Sequence, residues 1–379
     1  MKSILEDVSD YFKKLDKLLL LTVVLCSVTG VVLLNALSNH GAVTKATYIT
    51  QLGSMIAGII ISLLISVIDY KKIAKLWFLY VPAALIPVAL TFTSLGIGVE
   101  GTDDVAWLKL GPVTFQPSEV LKIAFLLSFS YHLYKVKDNL NNFLNVVLLC
   151  IHGAVPILIV MKQGDHGTAL VFIVMFLVML FSAGISIGYI LIALMAIPPM
   201  IYLGWTYLLG DVQKDRIMIL FNPGSDPEGI EYQQDIGLSA LAAGGKLGQG
   251  LDSKDFADVP EIYNDFIFSY AGYVFGFAGC IAIVAVAAFI CIKLIADSRR
   301  TREELGKNIC IGAFAMIFTH YVMNIGMVLK VMPVIGIPFP FMSAGGTALI
   351  SMYIIIGIVL STSVHSERKY RMFELEKEY

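Results

Sequence analysis

The chain has 379 residues, of which 57% are apolar and only 15% charged, and its mean hydropathy is +0.79. A soluble domain carries about 25% charged residues, so this chain has too little charge to cover a water-facing surface and is read as an integral membrane protein. The same figures exclude a disordered chain, a collagen-like fibre and a disulfide-framework secreted domain, and a net charge of -2 without a long basic block argues against nucleic acid.

A bilayer core about 30 Å thick needs about 20 apolar residues per helix. Ten runs near that length follow one another, at 17–38, 50–68, 76–95, 117–134, 143–161, 167–184, 186–209, 265–294, 308–331 and 346–364. The expected fold is therefore all-α, with about ten transmembrane helices and residues 1–379 forming a single polytopic membrane domain. The first run lacks a small-residue cleavage site and is followed by further spans, so it is expected to remain as a helix and not to be removed as a signal peptide. Cys26, Cys150, Cys280, Cys291 and Cys310 fall in apolar runs without CxxC spacing and read as small buried hydrophobes.

Orientation follows from the Lys and Arg of the connecting segments. With the N-terminus in the cytoplasm, that side receives 18 of the 27 cations, including Lys13, Lys14, Lys71, Lys72, Arg299 and Arg300, and both termini, with the tail 365–379, are expected there. Cytoplasmic loops are then short, and two outer segments are long, about 96–116 and 210–264. The second, between the seventh and eighth spans, holds ten carboxylates against Lys214, Arg216, Lys246 and Lys254. A loop of that size is functional or disordered, and Gly245, Gly248 and Gly250 set among apolar residues point to a large, partly ordered extracellular loop. The working face is expected to be the outer one.

Charges inside spans cost several kcal/mol on insertion, so each is a functional candidate. Glu119 and Lys122 in QPSEVLKIAFLL stand at i and i+3 on one helical face and can pair, either as a structural ion pair or as part of a site. Gln116, Pro117 and Ser118 make a good helix start. Asp165 in KQGDHGTALVF directly precedes an apolar run and can cap a helix or pair with a cation. His166 beside it reads as exposed or locally hydrogen-bonded. Asp265, in VPEIYNDFIFSYAGYVFGF, is set among aromatics in a desolvated position that raises a carboxyl toward the pKa of a useful base. His132, His152 and His320 stand singly on apolar runs, with no partner at metal-ligand spacing.

Together these segments resemble the SEDS family of cell-wall polymerases (shape, elongation, division and sporulation; the RodA, FtsW and SpoVE group). The resemblance covers nearly the whole chain. WLKLGPVTFQPSEVLKIA is similar to the family segment after its third span, and DRIMILFNPGSDPEGIEYQQ with AAGGKLGQG to its large external loop. VPEIYNDFIFSYAG is similar to the stretch that carries the family's essential aspartate, which falls on Asp265. NIGMVLKVMPVIGIPFPFMSAGGTA resembles the signature before the last span. Ala106 stands where the family usually has Arg before its Trp, and Gln163-Gly164-Asp165 where it has Gln-Pro-Asp. Tyr273 and Val274 follow Gly272 where it usually has two Glu, and Ser343-Ala344-Gly345-Gly346 where it has Ser-Tyr-Gly-Gly.

The resemblance implies a peptidoglycan glycosyltransferase of the bacterial cytoplasmic membrane that polymerises lipid II, a disaccharide-peptide on undecaprenyl diphosphate, together with a class B penicillin-binding protein. Diphosphate leaves without protonation, so one base suffices where a glycosidase needs two carboxylates, and Asp265 is the expected base. Charge on the leaving diphosphate is neutralised by Lys109, Lys122 or Arg216, or by a divalent cation (Mg or Mn) shared with the carboxylates, with Glu119 and Asp165 in support. Two other classes stay open: a non-catalytic scaffold for the transpeptidase partner, and a flippase or transporter of lipid-linked precursors, whose site is expected nearer the bilayer midplane.

Overall fold

The structure is a computed structural model that describes residues 4–98, 104–110, 113–222, 224, 229–253, 256 and 259–365. The expected tail lies outside the described residues from 366 onward. In chain order the elements are α1 Ile4–Lys14, α2 Lys17–Asn39, α3 Lys45–Val67, α4 Tyr70–Lys75, α5 Trp77–Leu90, β1 Gly96–Ile97, β2 Trp107–Leu110 and β3 Val113–Phe115. There follow α6 Pro117–Val136, α7 Phe143–Lys162, α8 His166–Ala183, α9 Ile187–Leu203, α10 Asp211–Phe221, α11 Ile230–Ala243, α12 Ile267–Arg300, α13 Glu304–Val328 and α14 Gly346–His365. Each of the ten apolar runs becomes a helix. Eight are long and apolar enough to cross a membrane. The other two are α5, with 14 residues and two internal prolines, and α6, whose 20 residues include Glu119 and Lys122.

Local chemistry sets the helix starts. Asp16 accepts from Leu19 N to cap α2, Thr44 from Thr47 N to cap α3, and Asn142 from Leu144 N to cap α7. The bundle is arranged around α13, with 72% of its apolar stretch buried, whereas none of the corresponding stretch of α9 is. α13 packs on α12, α8, α6 and α14. α14 lies tight along α3, because Gly58 faces the Tyr353 ring and Gly357 faces Ser62. Small residues at such crossings let backbones approach where the hydrophobic effect supplies no drive between helices.

At one end of the bundle Lys293 bridges Asp16 and Asp297, and Lys71 meets Glu303 at 2.5 Å. The other end holds the long segments. There β1, β2 and β3 form an antiparallel sheet in that order, with Lys109 opposite Thr114. The sequence marks 96–116 only as a long outer segment, and strands of two to four residues carry too little pattern to be read from it. Within 210–264 the described residues include the helices α10 and α11.

α12 is broken in its N-terminal part. Gly276 takes φ 68°, ψ −170°, and the interrupted ladder is completed by the Gly-rich turn after α11. Gln249 N and Gly250 N donate to the carbonyls of Tyr273 and Val274 at 2.9 and 3.1 Å, while Phe277 N and Ala278 N donate to Gly245 and Lys246 at 2.8 and 3.1 Å. Within a bilayer every backbone group needs such a partner. A Cβ at Gly276 would stand 2.3 Å from Gly248 N, so only glycine fits.

Candidate active site

Asp265 lies in the turn just ahead of α12, outside the span. Glu261 O accepts from both Asn264 N at 3.0 Å and Phe266 N at 3.1 Å, which closes this turn. Its side chain is half-buried, and Oδ1 is enclosed with no hydrogen-bond partner. Burial, reinforced by the charge of Glu261, pushes the carboxyl up from 3.8 to about 7, with Arg216 pulling in the other direction.

Arg216 comes from α10 and donates through Nη1 to Val334 O at 3.1 Å. Burial lowers its pKa from the usual guanidinium value, and the charges of Asp265 and Asp104 oppose that shift. Asp104 was not singled out in the sequence, where nothing but an acidic residue in an outer segment marks it. It reaches the site because Val105 N donates to Gln163 O at 2.9 Å, which ties the approach to β2 onto the α7–α8 turn. Burial and the neighbouring Asp165 raise its carboxyl to about 7, while Arg216 and the amide of Ala106 act the other way.

Asp165 caps α8 by accepting from Thr168 N at 2.9 Å, and its Oδ2 also accepts from Gln116 Nε2 at 2.9 Å. Burial raises its pKa. His166 is half-buried, and its backbone N donates to Gly164 O at 2.9 Å. Deeper in the bundle Lys122 Nζ donates to Glu119 Oε1 at 2.8 Å and stands 3.2 Å from His320 Nε2, and Ser351 Oγ donates to Glu119 Oε2 at 2.6 Å. The pair therefore binds three helices, α6, α13 and α14. Lys122 is 1% exposed, which leaves its ammonium no open side for a lipid diphosphate.

Five of the six residues singled out in the sequence are thus linked electrostatically, Asp265 and Asp104 with Arg216, Asp104 with Asp165, and Asp165 with Glu119 and Lys122. Lys109 is not among them: its side chain is exposed on β2, and no described contact joins it to Asp265 or Arg216. The histidines depart from the expectation that they stand singly. His132 and His152 face each other with Nδ1 atoms 3.1 Å apart, Ser128 Oγ lies 3.1 Å from His152 Nε2, and His320 meets Lys122.

A shared divalent cation fits this arrangement poorly. Among the described residues no group of three or more His, Cys, Asp or Glu side chains is placed to hold a metal ion. The positive charge that acts on both Asp265 and Asp104 is that of Arg216. Where the resemblance leads one to expect two glutamates, Tyr273 is buried with its hydroxyl 2.6 Å from Ser253 Oγ, and Val274 is buried at the helix break.

The comparisons with known proteins agree along the whole bundle. The MrdB peptidoglycan glycosyltransferase of Escherichia coli (strain K12) is 30% identical over 327 residues, which cover 84% of this chain and 85% of that protein. A probable FtsW peptidoglycan glycosyltransferase of Trichlorobacter lovleyi is 30% identical over 365 residues, 92% of this chain and 93% of the relative. Among solved structures, a chain of a peptidoglycan synthase complex described as coordinating polymerization and crosslinking superposes with a TM-score of 0.77 at 23% identity, over 92% of this chain and 97% of that one. The rod shape determining protein RodA of Thermus thermophilus gives 0.67 at 22% identity, over 92% and 96%. The family model of the FtsW, RodA and SpoVE cell cycle proteins matches residues 16–368, and the chain belongs to that family.

Proposed function

We propose that this protein is a peptidoglycan glycosyltransferase that polymerises lipid II at the outer face of the cytoplasmic membrane, with Asp265 as general base. The acceptor's sugar hydroxyl attacks the anomeric carbon of the donor. A carbon–oxygen bond forms there as the bond to the lipid diphosphate breaks, and the hydroxyl proton passes to Asp265. A carboxyl near 7 is matched to that task at neutral pH, because it is substantially ionised and still basic enough to take the proton; positioned bases of this kind contribute about 10² to 10⁴ fold. Arg216, seated on the Val334 carbonyl and acting electrostatically on Asp265, is the candidate for the leaving diphosphate. Glu119 and Lys122 hold α6, α13 and α14 in register beneath the site, and Asp165 fixes the start of α8.

The observation that carries this reading is the half-buried Asp265 carboxyl, whose Oδ1 has no hydrogen-bond partner, set against Gly336 on the same segment whose Val334 carbonyl seats Arg216. The cation bias of the loops supports an outer location for it and cytoplasmic termini. A class B penicillin-binding protein is the proposed partner for crosslinking, by analogy with the synthase complex whose chain has the same fold. The test is polymerisation of labelled lipid II by purified protein, with and without that partner. Product from the wild type and none from Asp265→Ala supports the reading, and equal product from both overturns it.

A second reading, a scaffold that retains only partner docking, is favoured by one observation: Tyr273 and Val274 bury phenol and isopropyl groups where carboxylates were expected. A chain that binds the partner but makes no glycan under any condition would be that scaffold.

A further inference from the structure

The segment between α13 and α14 contains Pro333, Pro338 and Pro340, and it runs directly beneath the candidate base. Proline has no N–H and a fixed φ, so such a strap is stiff and offers its carbonyls as acceptors. Two of them are used at the site. Val334 O accepts from Arg216, and Ile337 O accepts from Asn324 Nδ2 at 2.8 Å. The same Nδ2 donates to the backbone carbonyl of Asp265, also at 2.8 Å. We propose that Asn324 is a positioning residue that fixes Asp265 relative to Arg216 by clamping the aspartate's backbone onto the strap that also seats the arginine.

Three features make this more than a packing contact. The Asp265 carbonyl lies outside the α12 ladder, since Ser269 N and Tyr270 N both donate to Phe266 O, so Asn324 takes the place of the helix as its partner. Both partners of the amide are carbonyls, which forces the nitrogen and not the oxygen of Asn324 toward the site. Asn324 is fully buried and its Oδ1 has no partner, so an apolar residue would suit packing better than an amide does. A parallel tie runs alongside: Ser343 Oγ donates to Asn264 O at 2.6 Å and accepts from Phe339 N at 2.8 Å, while Ala344 N donates to Tyr263 O at 2.9 Å. Gly336, at φ 65°, completes the approach, with a position for Cβ only 3.7 Å from Asp265 Oδ2.

The clamp rests on the proposed role of Asp265, and its test separates the two. In Asn324→Ala, backbone amide exchange over 259–268 and 333–345 should quicken about tenfold while α3 exchanges as before, a readout that needs no activity. Lipid II polymerisation should lose about 100-fold in kcat at unchanged KM, the scale expected for a misplacement of about 1 Å. Unchanged exchange overturns the clamp whatever the activity. Quickened exchange with unchanged kcat, or a change confined to KM, overturns the positioning role. If Asn324→Ala does not fold, Ser343→Ala is measured in the same assays, and it should quicken exchange over 259–268 and lower kcat about tenfold. A wild type that polymerises nothing removes the catalytic reading, and the exchange result still decides the clamp.

Discussion

Asp265 combines two properties that pull in opposite directions: enclosure of Oδ1, which disfavours charge, and Arg216, which favours it. Because burial wins and the carboxyl is raised to about 7, polymerisation should climb as pH rises through about 7 and level off above it. A pH–rate profile flat between 5 and 8 would overturn the base assignment. The same shift has a stability sign. A carboxyl raised from 3.8 to about 7 in the folded state stabilises the fold below the unfolded value and loses that contribution as pH climbs to the folded one. Asp265→Asn, which removes the ionisation but keeps the shape, should therefore melt at or above the wild-type temperature at pH 8 while losing polymerisation. Asp265 and Asp165 stand out in the sequence because they are ionisable residues beside apolar runs, whereas Arg216 enters only through the family resemblance, as one of several cations for the diphosphate. Asp104 and Asn324 do not stand out, since an outer acidic residue and a polar residue in a span acquire their meaning only from partners far away in the chain, Arg216 for one and Asp265 with Ile337 for the other.

Helices α6 and α12 differ in how much of their behaviour can be read from sequence. The i, i+3 spacing of Glu119 and Lys122 forecasts their pairing, which the 2.8 Å contact shows, but not the third and fourth members, His320 and Ser351, which arrive from α13 and α14. Removing one member leaves a buried charge unpaired, a loss of about 3–5 kcal/mol. Glu119→Gln alone and Lys122→Met alone should each lower the melting temperature, and the double variant should recover much of it. Recovery of the fold and of glycan synthesis together would make the pair purely architectural, whereas recovery of the fold alone would place it in the site. For α12 the apolar run passes through Gly276 without a polar signal, so hydropathy reads one uninterrupted span. The break depends on the Gly-rich turn after α11, whose amides and carbonyls replace the missing helix bonds. Gly276→Ala should be strongly destabilising, from about 1–3 kcal/mol of backbone strain plus the clash with Gly248 N at 2.3 Å. A thermal melt in detergent unchanged by that substitution would count against the broken helix.

For the whole molecule, run length and apolarity sufficed to place ten helices, because the bilayer fixes the length of a span; the packing order around α13 was out of reach, since lipid-facing and buried spans are equally apolar. Ala106, Tyr273 and Val274 stand where the family usually has an arginine and two glutamates, and the structure shows what surrounds them. Ala106 is fully buried, Tyr273 shares a hydrogen bond with Ser253 and stacks near Tyr270 at 6.4 Å, and Val274 is 2% exposed. Each neighbourhood is closed around the residue present. Introducing Tyr273→Glu and Val274→Glu would bury two acids without partners, at a cost of several kcal/mol, and Ala106→Arg would place a guanidinium where there is no solvent-accessible surface. The triple variant should therefore melt below the wild type and make no more glycan from lipid II. A rate increase at an unchanged melting temperature would instead mean that the family-type charges are missing parts of a weakened polymerase. Wild-type protein that binds a class B penicillin-binding protein, makes no glycan, and is not rescued by the triple substitution would place this chain among scaffolds, with Asp265 left as a buried acid beside an arginine and no hydroxyl to deprotonate.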